Sequence, residues 1–258
     1  MTSSFDDDLD LSTIPDLGPW NEIDLEGLIA LEADLVVDYY MSNGEDQFFW
    51  SFENDTAKRI NEIAPLLTVP ESGWSASECI PCVHDLAAAL GADVEAPAVV
   101  ADIDAFDAAS EAVRQAAAAK PVLRVASLYW WPDEVGLESP DWVSNLIYFR
   151  ELGVQFAPFE LNSPPAWGTY SPEEMGEMPI DVILLLYETP TTDPIWEIMP
   201  AVKAGQVGPN RPGTRLSHRS YARILAELAE LLDRSEVVAT KAASGSRPKL
   251  VRFRHAAA

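Results

Sequence analysis

VVADIDAFDAASEAVRQAAAAK, residues Val99 to Lys120, is the stretch on which the fold turns. Ile103, Phe106, Ala109, Ala112 and Val113 recur at helical spacing with charges on the other face, and Ala, Glu, Arg and Gln are strong helix formers. Asp102 or Asp104 is expected to cap its first turn, and Lys120 followed by Pro121 to end it. The helix divides the chain into two parts of similar size. It reads as a strut joining two lobes that hold a ligand between them.

Working outward, each side of this helix alternates strands and helices. Before it, the pattern predicts a helix capped by Asp24, a strand at 33–40, a loop at 41–52, a helix at 53–63, a strand near 65–69 and a helix at 79–90 ending at Gly91. After it, strands are expected at 121–126, 154–157, 180–187 and 206–207, and helices at 141–152, 171–178, 196–203 and 217–233. The segments 127–140 and 158–170 read as loops. Such alternation implies an α/β fold, with mainly parallel sheets flanked by helices in each lobe. The divisions are an N-terminal lobe over 1–98, the interlobe helix at 99–120, a C-terminal lobe over 121–235 and a basic tail at 236–258.

The chain has 258 residues, of which 48% are hydrophobic, which suits folded lobes with sizeable cores. Its formal net charge of −25 excludes a nucleic-acid partner, since phosphate contacts need basic patches. The charge is uneven: residues 1–94 carry 20 acidic and 2 basic side chains, net −18, while 203–258 carry 4 and 11, net +7. The strongest apolar run, Val182 to Tyr187, is the length of a strand and not of a membrane span. Met1 leads into polar, acidic residues that do not read as a secretory signal.

In parallel sheets, ligands sit beyond the carboxyl ends of the strands. The segments expected there carry Tyr39, Tyr40, Trp74, Trp130, Trp131, Trp167 and Tyr187, a set of aromatics that reads as a binding surface. Cys79-Ile-Pro-Cys82 is a C-x-x-C at an expected helix start. It fits either a local disulfide or a thiol redox site, because a helix N-terminus lowers a thiol pKa. Three His and two Cys are too few for a zinc centre, so no metal is expected. No G-x-S-x-G, H-E-x-x-H, P-loop or G-x-G-x-x-G pattern occurs, so an enzyme is not the expected reading.

Four local patterns, in order, complete the reading. Asp24-Leu-Glu-Gly-Leu-Ile-Ala-Leu-Glu-Ala-Asp-Leu-Val-Val37 comes first, then Ile63-Ala-Pro65 with a helix ending Leu86-Ala-Ala-Ala-Leu-Gly91. Ser171-Pro-Glu173 ahead of Ile180-Asp-Val-Ile-Leu184 is third, and Trp196-Glu-Ile-Met-Pro-Ala-Val-Lys-Ala-Gly-Gln-Val207 is fourth. Together they resemble the periplasmic substrate-binding proteins of ABC importers, in the ferric siderophore and cobalamin class.

The resemblance implies two α/β lobes bridged by one long helix, a cleft for one ligand, and a permease partner. It implies no catalytic residue and no cofactor. A ferric siderophore is the expected ligand, with cobalamin or haem as alternatives, and a thiol redox enzyme using Cys79 and Cys82 as the competing class. Glu26 and Glu173 fall where the family places permease-docking carboxylates. Trp20 and Trp167, each six residues before one of them, with Tyr39 and Arg215, fall where it places cleft residues. The family's setting is the cell envelope. Relative to it, the first lobe reads as truncated, so a strand edge and some core are expected at the surface.

Overall fold

Asp24 starts the first helix as the sequence predicts. Its Oδ1 accepts from the backbone N–H groups of Glu26 and Gly27 at 3.0 and 2.9 Å, which caps α1 (Leu25–Ala30). The computed structural model describes residues 11–19, 21–42, 47–49, 51–131, 133–163, 165–186, 193–211 and 215–238. After α1 come β1 (Val36–Ser42), β2 (Gln47–Phe49), α2 (Asn54–Ile63), β3 (Leu66–Pro70) and α3 (Ala76–Ala89). The stretch expected as a loop at 41–52 thus contains a strand, β2, which pairs antiparallel with β1. β1 pairs in parallel with β3, giving the order β2-β1-β3.

One face of this small sheet is covered. Leu28 of α1, Ala57 and Ile60 of α2 and Phe52 form its core, with Val36 and Leu66 leaning in from the strands. The other face is open at one end: Val37 and Leu67, direct cross-strand partners, are 45% and 40% exposed. Ser75 caps α3 through a capping box with Glu78, so that helix starts at Ala76, three residues earlier than predicted, and carries Pro81 inside it.

The central helix, α4 (Pro97–Ala119), starts earlier than Asp102 or Asp104 would place it. Pro97 occupies its first turn, where the missing N–H costs nothing, and no side chain caps it. The second half then runs β4 (Arg124–Trp131), β5 (Glu134–Glu138), α5 (Ser144–Glu151), β6 (Gln155–Phe156), β7 (Trp167–Tyr170) and α6 (Pro172–Gly176). It closes with β8 (Val182–Leu185), α7 (Pro194–Ile198), α8 (Pro200–Lys203), β9 (Val207–Pro209) and α9 (His218–Arg234). The single helix expected at 196–203 is split because Met199, ahead of Pro200, is forced into extended backbone (φ −57°, ψ 133°).

Six strands make the larger sheet, in the order β7-β5-β4-β8-β9 with β6 also on β4. β4, β6, β8 and β9 pair in parallel, but β4-β5 and β5-β7 are antiparallel. The loop expected at 127–140 is therefore in large part strand, and the one expected at 158–170 ends in a strand, β7. Two residues separate β4 from β5, a spacing that permits a hairpin and forbids a parallel crossover.

Two contacts show that α4 and α9 lie side by side in the same direction. Asp102, early in α4, pairs with Arg219, early in α9, at 3.1 Å. Lys120, just past α4, donates to the carbonyls of Leu232, Asp233 and Ser235 at the far end of α9, where a cation offsets the helix dipole. The main core lies beneath them and reaches into the first half. Cys79 and Ile80 of α3 pack with Phe106 and Val113 of α4, Leu146 and Phe149 of α5, and Leu225 of α9. Each such side chain contributes about 1.5–3 kcal/mol by leaving water. Polar contacts reinforce the junction: the Gly73 N–H donates to the Trp142 carbonyl at 2.7 Å, and the Ser75 and Ser77 hydroxyls donate to Glu151 at 2.7 and 3.1 Å. The two halves are thus joined by packed core as well as by a helix.

Candidate functional site

At the carboxyl end of the small sheet, Tyr39 and Tyr40 point to opposite faces of β1. Tyr40 meets Trp74 edge to face with ring centroids 5.1 Å apart, while Tyr39 and Trp74 both lean on the main core. Glu71 follows β3 directly, and its N–H donates to the Tyr40 carbonyl at 3.0 Å. Its carboxylate accepts from the Ser72 hydroxyl at 2.8 Å, yet burial holds its pKa above the usual carboxylate value. Burial also raises the Tyr39 phenol, Glu71 adds to this, and Arg215 opposes it. Tyr39, Tyr40, Trp74 and Arg215 are thereby brought near one end of the small sheet, with Glu71 among them.

The larger sheet supplies the other side. Alternation along β4 puts Val125, Ser127, Tyr129 and Trp131 on one face, and Ala126, Leu128 and Trp130 on the other. Tyr129 lies over Gly136, where any Cβ would collide with its ring, and its hydroxyl donates to Glu134 at 2.6 Å. Its ring centroid is 4.4 Å from that of Trp131 and 5.2 Å from that of Trp167. Trp167 stands opposite Glu138 in the β5-β7 register, so this aromatic ridge shares the face of Ser127 and Glu138. Trp131 is 51% exposed and available to a ligand.

Beneath the ridge lies a buried polar floor. The Ser127 hydroxyl and the Asn210 amide donate to one carboxylate oxygen of Glu138 at 2.7 and 2.6 Å, and Asn145 donates to Asn210 at 2.8 Å. Burial pushes the Glu138 carboxyl up to about 7 against these hydrogen bonds, and the charge of Glu71 adds to the shift. Arg215 already has a partner, so it is an oriented group and not a free cation.

Trp130 is a correction to the sequence reading. It is only 2% exposed on the opposite face of β4, where its indole donates to Asp193 at 2.8 Å and its ring centroid lies 5.3 Å from that of Trp196. It is a core residue. Trp20 and Tyr187 lie outside the described residues. The Cys79–Cys82 disulfide is also corrected: both thiols are free, Cys79 buried and Cys82 exposed. Continuous helix turns them to different carbonyls, Cys79 to that of Glu71 at 3.7 Å and Cys82 to that of Glu78 at 3.3 Å. Because α3 begins before them, neither thiol sits at its first turn, and burial pushes Cys79 up to about 12.

Glu26 and Glu173 are exposed in the first turns of α1 and α6. Ser171 and Glu174 cap α6 reciprocally, which leaves the Glu173 carboxylate outward and without a capping duty. Among the described residues no group of His, Cys, Asp and Glu is arranged to hold a metal. No helix among them is long and apolar enough to cross a membrane. A cavity of about 10 Å³ lined by Ala117, Leu123, Val125 and Leu232 has room for a water, and it lies at the start of β4, away from the aromatics.

Sequence reasoning missed Glu71, Glu138 and Asn210. Asn210 carries a usable signal, being the residue just past β9 at the carboxyl end of a parallel strand. An acid in so acidic a chain carries none.

No family model and no curated protein matches the chain in sequence. Solved structures do match. DesE, a ferric-siderophore receptor protein from Streptomyces coelicolor, is 27% identical with a TM-score of 0.82, over 90% of this chain and 80% of that one. The siderophore periplasmic binding protein of the fuscachelin gene cluster of Thermobifida fusca has 19% identity and a TM-score of 0.61, covering 86% of this chain and 82% of that one. FhuD of Vibrio cholerae, solved with Fe3+-Desferal, has 21% identity and a TM-score of 0.61, covering 87% of this chain and 84% of that one. The latter two establish a shared fold. The structural relatives of the chain are ferric-siderophore periplasmic binding proteins, described as binding proteins or receptors and not as enzymes.

Proposed function

We propose that the chain binds a ferric siderophore between its two sheets and presents it to the permease of an ABC importer in the cell envelope. What supports this reading is that each half gathers aromatic side chains near its strand ends, Tyr40 with Trp74 on one and Tyr129 with Trp131 and Trp167 on the other, the latter beside a hydrogen-bonded polar floor. Flat, polarisable walls suit a bulky chelate whose outer surface is mostly ligand carbon. The likeness to the Streptomyces coelicolor receptor supports the ligand class. On this reading the iron chelate is cargo, and the chain needs no cofactor of its own. The domain reading follows: 1–98 and 121–235 act as lobes, with α4 as their strut. The core shared by α3, α4 and α9 favours small closure on binding.

Tryptophan fluorescence tests the ligand. Ferrioxamine B is expected to quench the full chain saturably at one equivalent, with cobalamin and haem as competitors for the same signal. A folded protein that none of these quenches would refute the reading. Glu26 and Glu173 are the proposed docking carboxylates, since exposed charges steer and orient partners. Replacing both with Ala should leave chelate affinity unchanged and slow uptake through the permease; uptake at the original rate would remove them from that role. The buried, hydrogen-bonded state of Cys79 supports the binder over a thiol redox enzyme.

A further inference from the structure

Glu71 is the feature that the aromatic walls do not account for. It stands at the carboxyl end of β3, bonded through its backbone to Tyr40 and flanked in sequence by Trp74. The segment it opens meets the other half, where the Gly73 N–H donates to the Trp142 carbonyl and the Ser75 hydroxyl to Glu151, both at 2.7 Å, so Glu71 stands close to where the two halves join. Among the described residues no basic side chain pairs with it, and a single serine hydroxyl is its side-chain hydrogen-bond partner. The cation recorded nearby, Arg215, acts on Tyr39 and is already engaged. A second acid, Glu138, lies in the floor, and the first 94 residues carry net −18.

Chelate chemistry meets this charge pattern in two ways. Three hydroxamates lose one proton each and neutralise iron(III), whereas three catecholates lose six and leave a trianion. A trianion entering beside Glu71 faces like charge in a partly dry site, which costs more there than in water. A neutral chelate pays no such cost, and one bearing an ammonium group gains a partner.

We propose that Glu71 is a specificity-determining residue that takes a cationic group on a neutral ferric trishydroxamate and excludes anionic chelates. This rests on the siderophore-binding reading above. The other half-site supports it, because the ridge of Tyr129, Trp131 and Trp167 offers ring faces, which tolerate a neutral or cationic chelate and repel an anionic one.

The test titrates the full chain at neutral pH and low salt with three iron(III) probes: ferrioxamine B, which carries a free ammonium group, its neutral N-acetyl derivative, and a trianionic triscatecholate. Ferrioxamine B should bind about tenfold more tightly than the acetylated form, the scale of one partly screened ion pair, and the preference should shrink with added salt. The triscatecholate should bind weakest. In Glu71→Gln the preference should fall below about twofold, and in Glu71→Asp it should persist, which separates charge from shape. Equal affinity for the first two probes, tightest binding of the triscatecholate, or an unchanged preference in Glu71→Gln would overturn the assignment of Glu71 while leaving siderophore binding intact. Failure of all three probes to bind folded protein would sink both.

Discussion

The two sheets handle their apolar surface in opposite ways. The larger one buries both faces, with Leu128, Trp130 and Ile183 on one side and Val125, Val182 and Leu184 on the other, between layers of helices. The smaller sheet covers one face with α1 and α2 and leaves Val37 and Leu67 open on the other. Yet both carry aromatic side chains near their strand ends, Tyr39 and Tyr40 on the small sheet and Tyr129 and Trp131 on the large one. Most of the buried apolar side chains belong to the second half, with Ala76, Cys79 and Ile80 of α3 joining them from the first.

That contrast can be broken most sharply in the cores. Leu128→Ala should destabilise the protein by about 2–5 kcal/mol in chemical denaturation, the usual loss for a buried leucine that leaves a cavity. A change under about 1 kcal/mol would mean that the large sheet is not the stabilising half.

The buried acid of the large sheet comes next. Glu138 holds its proton up to about pH 7 when folded, against an ordinary value of 4.5, so its contribution is full below 4.5 and is lost as pH rises through 7. The difference in unfolding free energy between wild type and Glu138→Gln should therefore decline from pH 4 to pH 8, by an amount on the order of 3 kcal/mol. A pH-independent difference would place that carboxyl in contact with water.

The smallest expected effect lies on the open face. Val37→Thr with Leu67→Thr should shift stability by under about 1 kcal/mol and lower any self-association seen by light scattering, since an uncovered apolar patch is a pairing surface. A large loss of stability would show that this face is covered in solution.

How much of this the sequence revealed differs between local and long-range features. α9 and α4 were legible, since Tyr221, Ile224, Leu225, Leu228 and Leu232, or Phe106, Ala109 and Val113, repeat at helical spacing and are buried together. The Asp24 cap was equally plain, because its partners lie two and three residues away. The β4-β5 hairpin was not: Tyr129, Trp130 and Trp131 form an unbroken aromatic run in which period-two alternation is invisible, so nothing local separates the core residue Trp130 from its exposed neighbour Trp131. Cys79 misled for a related reason. The cap that starts its helix, Ser75, sits four residues upstream, and that distance decides whether the thiol meets the dipole. Of the site, Tyr39 and Trp167 followed from expected strand ends or from motif position. Glu71, Glu138 and Asn210 become visible only when pairing across the chain brings them into one place.

The central claim is that one ligand touches both halves. Amide hydrogen exchange with and without ferrioxamine B tests it most directly. The account predicts slowed exchange at two separate places, around Tyr39 to Trp74 at the ends of β1 and β3 and around Tyr129 to Trp167 on β4, β5 and β7. Protection confined to one of these halves, or spread elsewhere on a protein that binds the chelate, would contradict it.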